Sequence, residues 1–580
     1  MNVQGSGPSS HSQSNRTVVR QSSLTGIAAA AGILAGLVLD FSIAIRFGAS
    51  APTDEFFVAA RIPLGLVAVV MVAANQALVP AFRTSATRRG ERPTDRLISM
   101  VLCTVIVVGA FLVVVSALVA ASLVHVTAPG FSPSEVQLAA FMVPIMFATV
   151  PLVAIAEVLR AYLNARYAFV APALMTVVLN GLAAAVILAG PLINTGLVHD
   201  IHVVAFAFLA GAVAQAVFMA LMAGRQGMRV RPALDLRDEH LRGIGKLCIR
   251  PLGSAGLNPI ARLAEQALVS PLPGGSISIL NYGYLIVSAV GGTVFFRSVI
   301  VALIPRLTDA HARDEQDEVR RFTALGMRIM LAISLPLTAF MAVLASPAVL
   351  AVFQRGQFAR TSAVLLGTVL AVYSISLVPS AVQRALLAPF FARLDTRVPL
   401  RNTVYGVVAN LVMLPLLMLV FGFGTERAII GVALAYSVSQ FVNVGHAWYR
   451  LSRLGGAPGR DLVPFTLKIV GASVLSGAAM IAASFALDLN GSLDRTQLLI
   501  RTPIAGLVGL GVLAAAMLLF NGQEIASWRA VLRRRPRPAF PAHAVAPEPA
   551  DADVAPMVED GVDVEAIVDL ESTAITTNLP

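Results

Sequence analysis

A chain of 580 residues that is 57% apolar and 13% charged, with a mean hydropathy of +0.78, falls outside the composition of soluble multidomain proteins and reads as an all-α polytopic membrane protein. Its net charge of +11 is spread through short loops and not gathered on one face, which argues against nucleic acid as a partner and for a membrane-orientation signal. The two cysteines, Cys103 and Cys248, stand in no metal or redox spacing, and the sequence carries no Walker loop, HExxH pair or cysteine–histidine cluster, so neither enzymatic chemistry nor a cofactor or metal is expected.

Taken in order, residues 1–23 form a polar, Ser- and Gln-rich tail with no cleavable signal, expected to be disordered and cytoplasmic. Apolar runs long enough to cross a bilayer follow at 24–45, 62–82, 98–124, 139–159, 169–189, 203–224, 251–270, 277–305, 329–345, 363–383, 402–420, 428–446, 469–485 and 502–520. With these fourteen spans, 34 of the 43 Lys and Arg lie in the tails and even-numbered loops, seven in the odd-numbered loops, and two, Arg262 and Arg297, inside spans. That asymmetry places both termini in the cytoplasm. Pro80 and Pro305 end the second and eighth spans 225 residues apart, and Pro172 and Pro399 open the fifth and eleventh 227 apart. One offset, six spans long, argues for two six-helix lobes related by a pseudo-two-fold along the membrane normal. The expected domains are an N-lobe at 24–224, a basic cytoplasmic linker at 225–250, a C-lobe at 251–446 and a C-terminal helix pair at 447–520. Residues 521–580 hold a basic juxtamembrane run, RAVLRRRPR at Arg529–Arg537, suited to anionic lipids, and then an acidic tail that reads as disordered.

Intramembrane charges are the candidate site residues, because each is costly in lipid. Asp40 sits in the first span. The stretch Gly48–Pro63, GASAPTDEFFVAARIP, places Asp54 and Arg61 between the first two runs, where turn chemistry alone would account for Asp54. Glu157 and Arg160 are spaced to pair on one helix face, a structural role, and Arg262 and Glu265 repeat that spacing in the seventh span. Arg297 has no partner at helical spacing and is expected to face the bundle interior or a water-filled cavity. His199 and His202 read as a solvated pair in one loop. Guanidinium forks in a bilayer suit phosphate oxygens.

Ordered blocks carry a specific resemblance: the opening GASAPTDEFFVAARIP, QALVPAF at Gln76–Phe82, VTAPGF at Val126–Phe131, YLNARYAFVAPAL at Tyr162–Leu174, LPGGSISILNY at Leu272–Tyr282, VFQRGQF at Val352–Phe358 and ARLDTRVP at Ala392–Pro399. From about residue 25 to 520 the chain resembles the MurJ/MviN family of the multidrug/oligosaccharidyl-lipid/polysaccharide exporter superfamily. The resemblance implies fourteen spans in two lobes plus a tail pair in the bacterial cytoplasmic membrane. It also implies flipping of undecaprenyl-diphosphate-linked peptidoglycan precursor, lipid II, with cell-wall synthesis proteins as further partners. It departs at the charges: arginines usual in the family fall at Ile33, Leu39, Val67, Ala68 and Leu285, and the residue after Glu265 is Gln266. The expected substrate-binding set is therefore Asp40, Asp54, Arg61, Arg262, Glu265 and Arg297. Export of another lipid-linked glycan, or a membrane scaffold without transport, stays open.

Overall fold

The computed structural model describes residues 9–190, 201–229, 231, 233–235, 237–292, 294–459, 462–489 and 495–533, with backbone alone at 9–23, 249–255, 292, 294–295, 297–298 and 521–533. Among the described residues every regular element is helical. In chain order they are α1 (Ser9–Phe47), α2 (Ala51–Ala73), α3 (Val79–Arg89), α4 (Glu91–Leu118), α5 (Ala120–Thr127), α6 (Pro133–Ala165), α7 (Val170–Ala189) and α8 (His202–Arg225). There follow α9 (Glu239–Val269), α10 (Ser276–Gly292), α11 (Val294–Ala312), α12 (Gln316–Phe353), α13 (Arg360–Ser374), α14 (Leu377–Ala392), α15 (Arg397–Val420), α16 (Ala428–Arg453), α17 (Leu462–Ala486) and α18 (Arg495–Arg533). The chain to Gly522 makes one compact unit, and from Gln523 a second begins.

Local chemistry sets the helix ends and irregularities. Ser132 and Glu135 form a capping box at the start of α6, the Glu135 carboxylate accepting from the Ser132 amide at 2.7 Å. Between α2 and α3 the five residues Ala74–Leu78 widen into a π-helical turn. Pro80 follows at once and has no amide to give to the preceding turn, so a widened turn lets one long helix run through it.

Among the described residues twelve helical stretches are long and apolar enough to span a bilayer. They do not include α9 or the α10–α11 region, the expected seventh and eighth spans. α9 carries charged and amide side chains along much of its length, and α10 and α11 lie on either side of Thr293, outside the described residues. Two expected span boundaries shift. The second span begins at Ala51 and not at 62, so Asp54 and Glu55 are helical and buried. The third ends in two helices, α4 and α5, separated at Val119.

The helices pack as two groups. In the first, α1 lies on α7, α7 on α8, and α6 touches α2, α4 and α8. In the second, α12 packs on α11, α13 and α14, and α16 on α13, α14 and α15. α9 contacts both, lying against α2 and α15, while α17 packs on α12 and is tied to α18 by the Ser476 hydroxyl donating to the Gly509 carbonyl at 2.7 Å. Each group has its own apolar cluster, around Phe82 and Tyr162 in the first and Phe296 and Phe390 in the second. A third cluster crosses between them.

Candidate functional site

That crossing cluster seals one end of the bundle. Phe41 meets Phe353 edge-on at 5.4 Å between centroids, and Phe57 meets Tyr282 at 5.6 Å. Hydrogen bonds reinforce it: the Gln357 amide donates to the Ile45 carbonyl at 2.9 Å, and the Gly130 amide to the Ser270 hydroxyl at 3.0 Å. Gly48, with φ of 69°, turns α1 into α2 where a Cβ would stand 2.5 Å from the Gln357 carbonyl oxygen. Only glycine fits both that conformation and that approach.

Asp54 belongs to this seal. It is 4% exposed, and its carboxylate accepts from the backbone amides of Gly275 and Ser278 at 2.7 Å each, and from the Ser278 hydroxyl. A carboxylate from α2 thus caps the N-terminus of α10, where unpaired amides and the helix dipole favour negative charge. Gly275, with φ of 94°, sits so close to Ala49 that a Cβ would come within 2.7 Å of that carbonyl. Asp54, expected among the substrate-binding residues, is absent from the cavity lining, and its carboxylate oxygens are taken by α10.

Behind the seal lies a cavity of about 880 Å³ bounded by both helix groups, a size suited to a large headgroup. Of the expected residues it brings together Asp40 from α1, Arg61 from α2, and Arg262 and Glu265 from α9. Arg61 donates through Nε to Gln266 Oε1 at 2.8 Å and through Nη1 to Asn281 Oδ1 at 3.4 Å. Both acceptors are neutral amides, so they orient the guanidinium without cancelling its charge. Arg262 pairs with Glu265 at 3.3 Å and lies flat on Tyr284, 3.2 Å from the ring centroid, with Tyr436 at 5.4 Å. Tyr284, Tyr373 and Tyr436 in turn pack edge to face on one another. Such stacking fixes the plane of the fork and supports a cation taken out of water. Nη2 of Arg262 is buried and has no protein acceptor.

The positions where the resemblance implies arginine are apolar here: Leu39, Ala68 and Leu285 line the cavity, and Ile33 is 41% exposed. The side chain of Arg297, on α11, lies outside the described residues. Glu157 and Arg160 pair within α6, 2.6 Å from Nε to Oε2, and Arg160 reaches Asn75 at 2.7 Å. His202 departs from the solvated reading, being buried against Phe141 at 4.5 Å, while His199 lies outside the described residues. Sequence reasoning missed Arg384. Assigned to a loop, it lies inside α14 and donates to the Gly291 carbonyl at 2.6 Å. It also missed the amide side chains that α14, α15 and α16 turn towards the cavity.

The sequence and the helical bundle can be set beside known proteins. A family model described as "Lipid II flippase MurJ" matches residues 43–498. A probable lipid II flippase MurJ of Vibrio cholerae is 25% identical over 512 residues, covering 85% of this chain and 94% of that protein. The lipid II flippase MurJ of Burkholderia cenocepacia is 25% identical over 515 residues, covering 85% and 95%. Among solved structures, a lipid II flippase MurJ in an inward closed conformation superposes with a TM-score of 0.70 at 19% identity, over 88% of this chain and all of that one. An inward-facing multidrug resistance MATE transporter gives 0.56 at 16% identity, over 74% and 94%. A family model that matches most of the sequence, residues 43–498, has one reading: the chain belongs to the lipid II flippase MurJ family.

Proposed function

We propose that the protein flips an undecaprenyl-diphosphate-linked peptidoglycan precursor, lipid II, from the inner to the outer leaflet of the bacterial cytoplasmic membrane by alternating access. The two helix groups act as N- and C-lobes, and the positive-inside bias puts both termini in the cytoplasm. On that orientation the sealed end, with Gly48, Gly130, Gly275 and Gln357, faces outward, and the cavity takes its cargo from the cytoplasmic leaflet.

Arg61 is the observation that carries this reading. It is a guanidinium in a membrane-embedded cavity, oriented by two neutral amide oxygens, and so keeps a full charge for an anionic headgroup. Arg262, stacked on Tyr284, adds a second fork. Arg297 belongs to the same proposed set by its place in the sequence, and Asp40 and Glu265 set the local charge balance. Lobe rocking opens the seal outward, and an inside-negative potential favours export of each negative charge by about 2.3 kcal/mol per 100 mV. The α17–α18 pair offers an apolar face for the prenyl chain.

Leu39, Ala68 and Leu285 on the cavity wall favour a second reading, export of a different lipid-linked glycan. Placing this gene in a strain depleted of its own lipid II flippase separates the two. Restored growth supports lipid II as cargo. If growth fails while the protein is present in the membrane at normal level, lipid II is not the cargo.

A further inference from the structure

The cavity has two chemically different walls. Arg61, Arg262 and Glu265 come from α2 and α9, while α14, α15 and α16 contribute Gln383, Thr403, Asn410, Ser439, Gln440 and Asn443 and, among the described residues, no charge at all. From this division we infer that the wall built by α14, α15 and α16 is a binding site for a neutral sugar bearing hydroxyl and acetamido groups, the glycan of the cargo. The inference rests on the reading of the cargo as a polyprenyl-diphosphate-linked glycan and assigns its two polar parts to different walls.

Side-chain chemistry supports the assignment. An anion needs donors and a cation needs carboxylates, whereas an amide presents a donor and an acceptor together and complements hydroxyl and acetamido groups. Six uncharged polar side chains on one wall of a membrane cavity are costly unless something hydrogen-bonds to them. Part of the set is satisfied internally. Asn402, fully buried behind the wall, donates to the Asn443 carbonyl at 2.7 Å and accepts from Gln383, and the Asn443 amide nitrogen donates to Gln440 at 3.4 Å. The amide oxygens of Asn410 and Asn443 are left over. These residues are 7% and 6% exposed, and neither oxygen has a partner. Buried acceptors of this kind are rare without a reason, and the two residues that carry them belong to the cavity lining. Asn402 is a positioning residue that holds Asn443.

The two walls adjoin. Tyr436, on α16 beside Ser439 and Gln440, lies 5.4 Å from the Arg262 guanidinium. A ligand whose phosphate meets Arg262 would therefore carry a directly attached sugar onto the amides.

The test uses the full-length protein in nanodiscs and two probes, undecaprenyl diphosphate and the same lipid bearing an N-acetylated sugar, with Kd measured for each. Wild type is expected to bind the glycosylated lipid about a hundredfold more tightly. Asn443→Ala and Asn410→Ala should each remove about tenfold of that preference, the scale of one hydrogen bond to a buried group, without changing affinity for the bare diphosphate. Arg61→Ala should weaken both lipids alike. Equal wild-type affinity for the two lipids overturns the sugar site while leaving the diphosphate reading intact, and it needs no variant to fold. Equal loss of both lipids in the two asparagine variants overturns it as well. No wild-type binding of either lipid removes both the sugar site and the diphosphate cargo.

Discussion

Asp54→Asn tests whether the seal is a latch between two conformations. The wild-type carboxylate accepts from two amides at 2.7 Å and from the Ser278 hydroxyl at the N-terminus of α10. Asparagine keeps one acceptor oxygen but turns an amine towards donors, so at least one charge-assisted bond is lost, about 1.5–3 kcal/mol. The interaction of negative charge with the helix N-terminus adds about 0.3–1 kcal/mol. The sum, about 2–4 kcal/mol, shifts an equilibrium roughly thirtyfold to several hundredfold. A protein sealed at 99:1 would move to between about 3:1 and 1:10. Spin labels at Ser134 and Thr361, both exposed near the sealed end, would report the change as a longer-distance population in nanodiscs. An unchanged distance distribution in a folded Asp54→Asn protein would falsify the latch.

Four other outcomes follow from the geometry. Arg61→Ala removes the guanidinium held by neutral amides and should lower flipping in proteoliposomes about ten- to a hundredfold at unchanged protein level; full transport would refute the diphosphate cavity. Arg262→Lys keeps a charge but loses the planar stack on Tyr284, so it should restore only part of the activity missing in Arg262→Ala, measured in the same assay. Glu157→Ala strands Arg160 and should cost about 3–5 kcal/mol, read as a lower thermal midpoint in detergent, with Glu157→Gln less affected. Single cysteines at Ser85 and Thr195 should label from opposite sides of the membrane, and labelling of both from outside in intact cells would overturn the orientation.

Much of the bundle was legible because hydropathy alone marks a helix that meets lipid. The exceptions are instructive. α9 presents Asn258, Arg262 and Glu265 to the cavity, so a helix that brings both an arginine and a carboxylate to the site is one whose apolar signal is too weak to mark it as a span. Asp54 was singled out for its charge, but its partners Gly275 and Ser278 lie more than 220 residues away, and nothing local says which helix end a carboxylate will cap. Arg384 was placed in a loop because the apolar run was ended at residue 383, yet Leu377–Ala392 is one helix. The amide wall escaped notice because attention to intramembrane charge passes over Asn and Gln. A signal was present: Ser439, Gln440 and Asn443 recur at three- and four-residue spacing in an apolar helix, a period that puts them on one face.

Charge balance in the cavity bears on how a carrier would let go of its load. Among the described lining residues two guanidinium groups, Arg61 and Arg262, are matched by two carboxylates, Asp40 and Glu265. Such a site gives a diphosphate geometry without a large fixed positive field, and a dianion seated there is held by oriented forks and not by net charge. Tight binding in one state slows release in the next, and a ligand moves an equilibrium only by the difference in its affinity for the two states. A near-neutral cavity therefore suits a carrier whose directionality comes from outside the site. The membrane potential supplies it, acting on the charges of the cargo and not on those of the protein. Removing Glu265 should then strengthen diphosphate binding while slowing turnover, because the gain falls on the bound state and the cost on release. Glu265→Gln measured in nanodiscs for Kd and in proteoliposomes for flipping rate separates the two, and a variant that both binds more weakly and flips more slowly would show that Glu265 serves only to position Arg262.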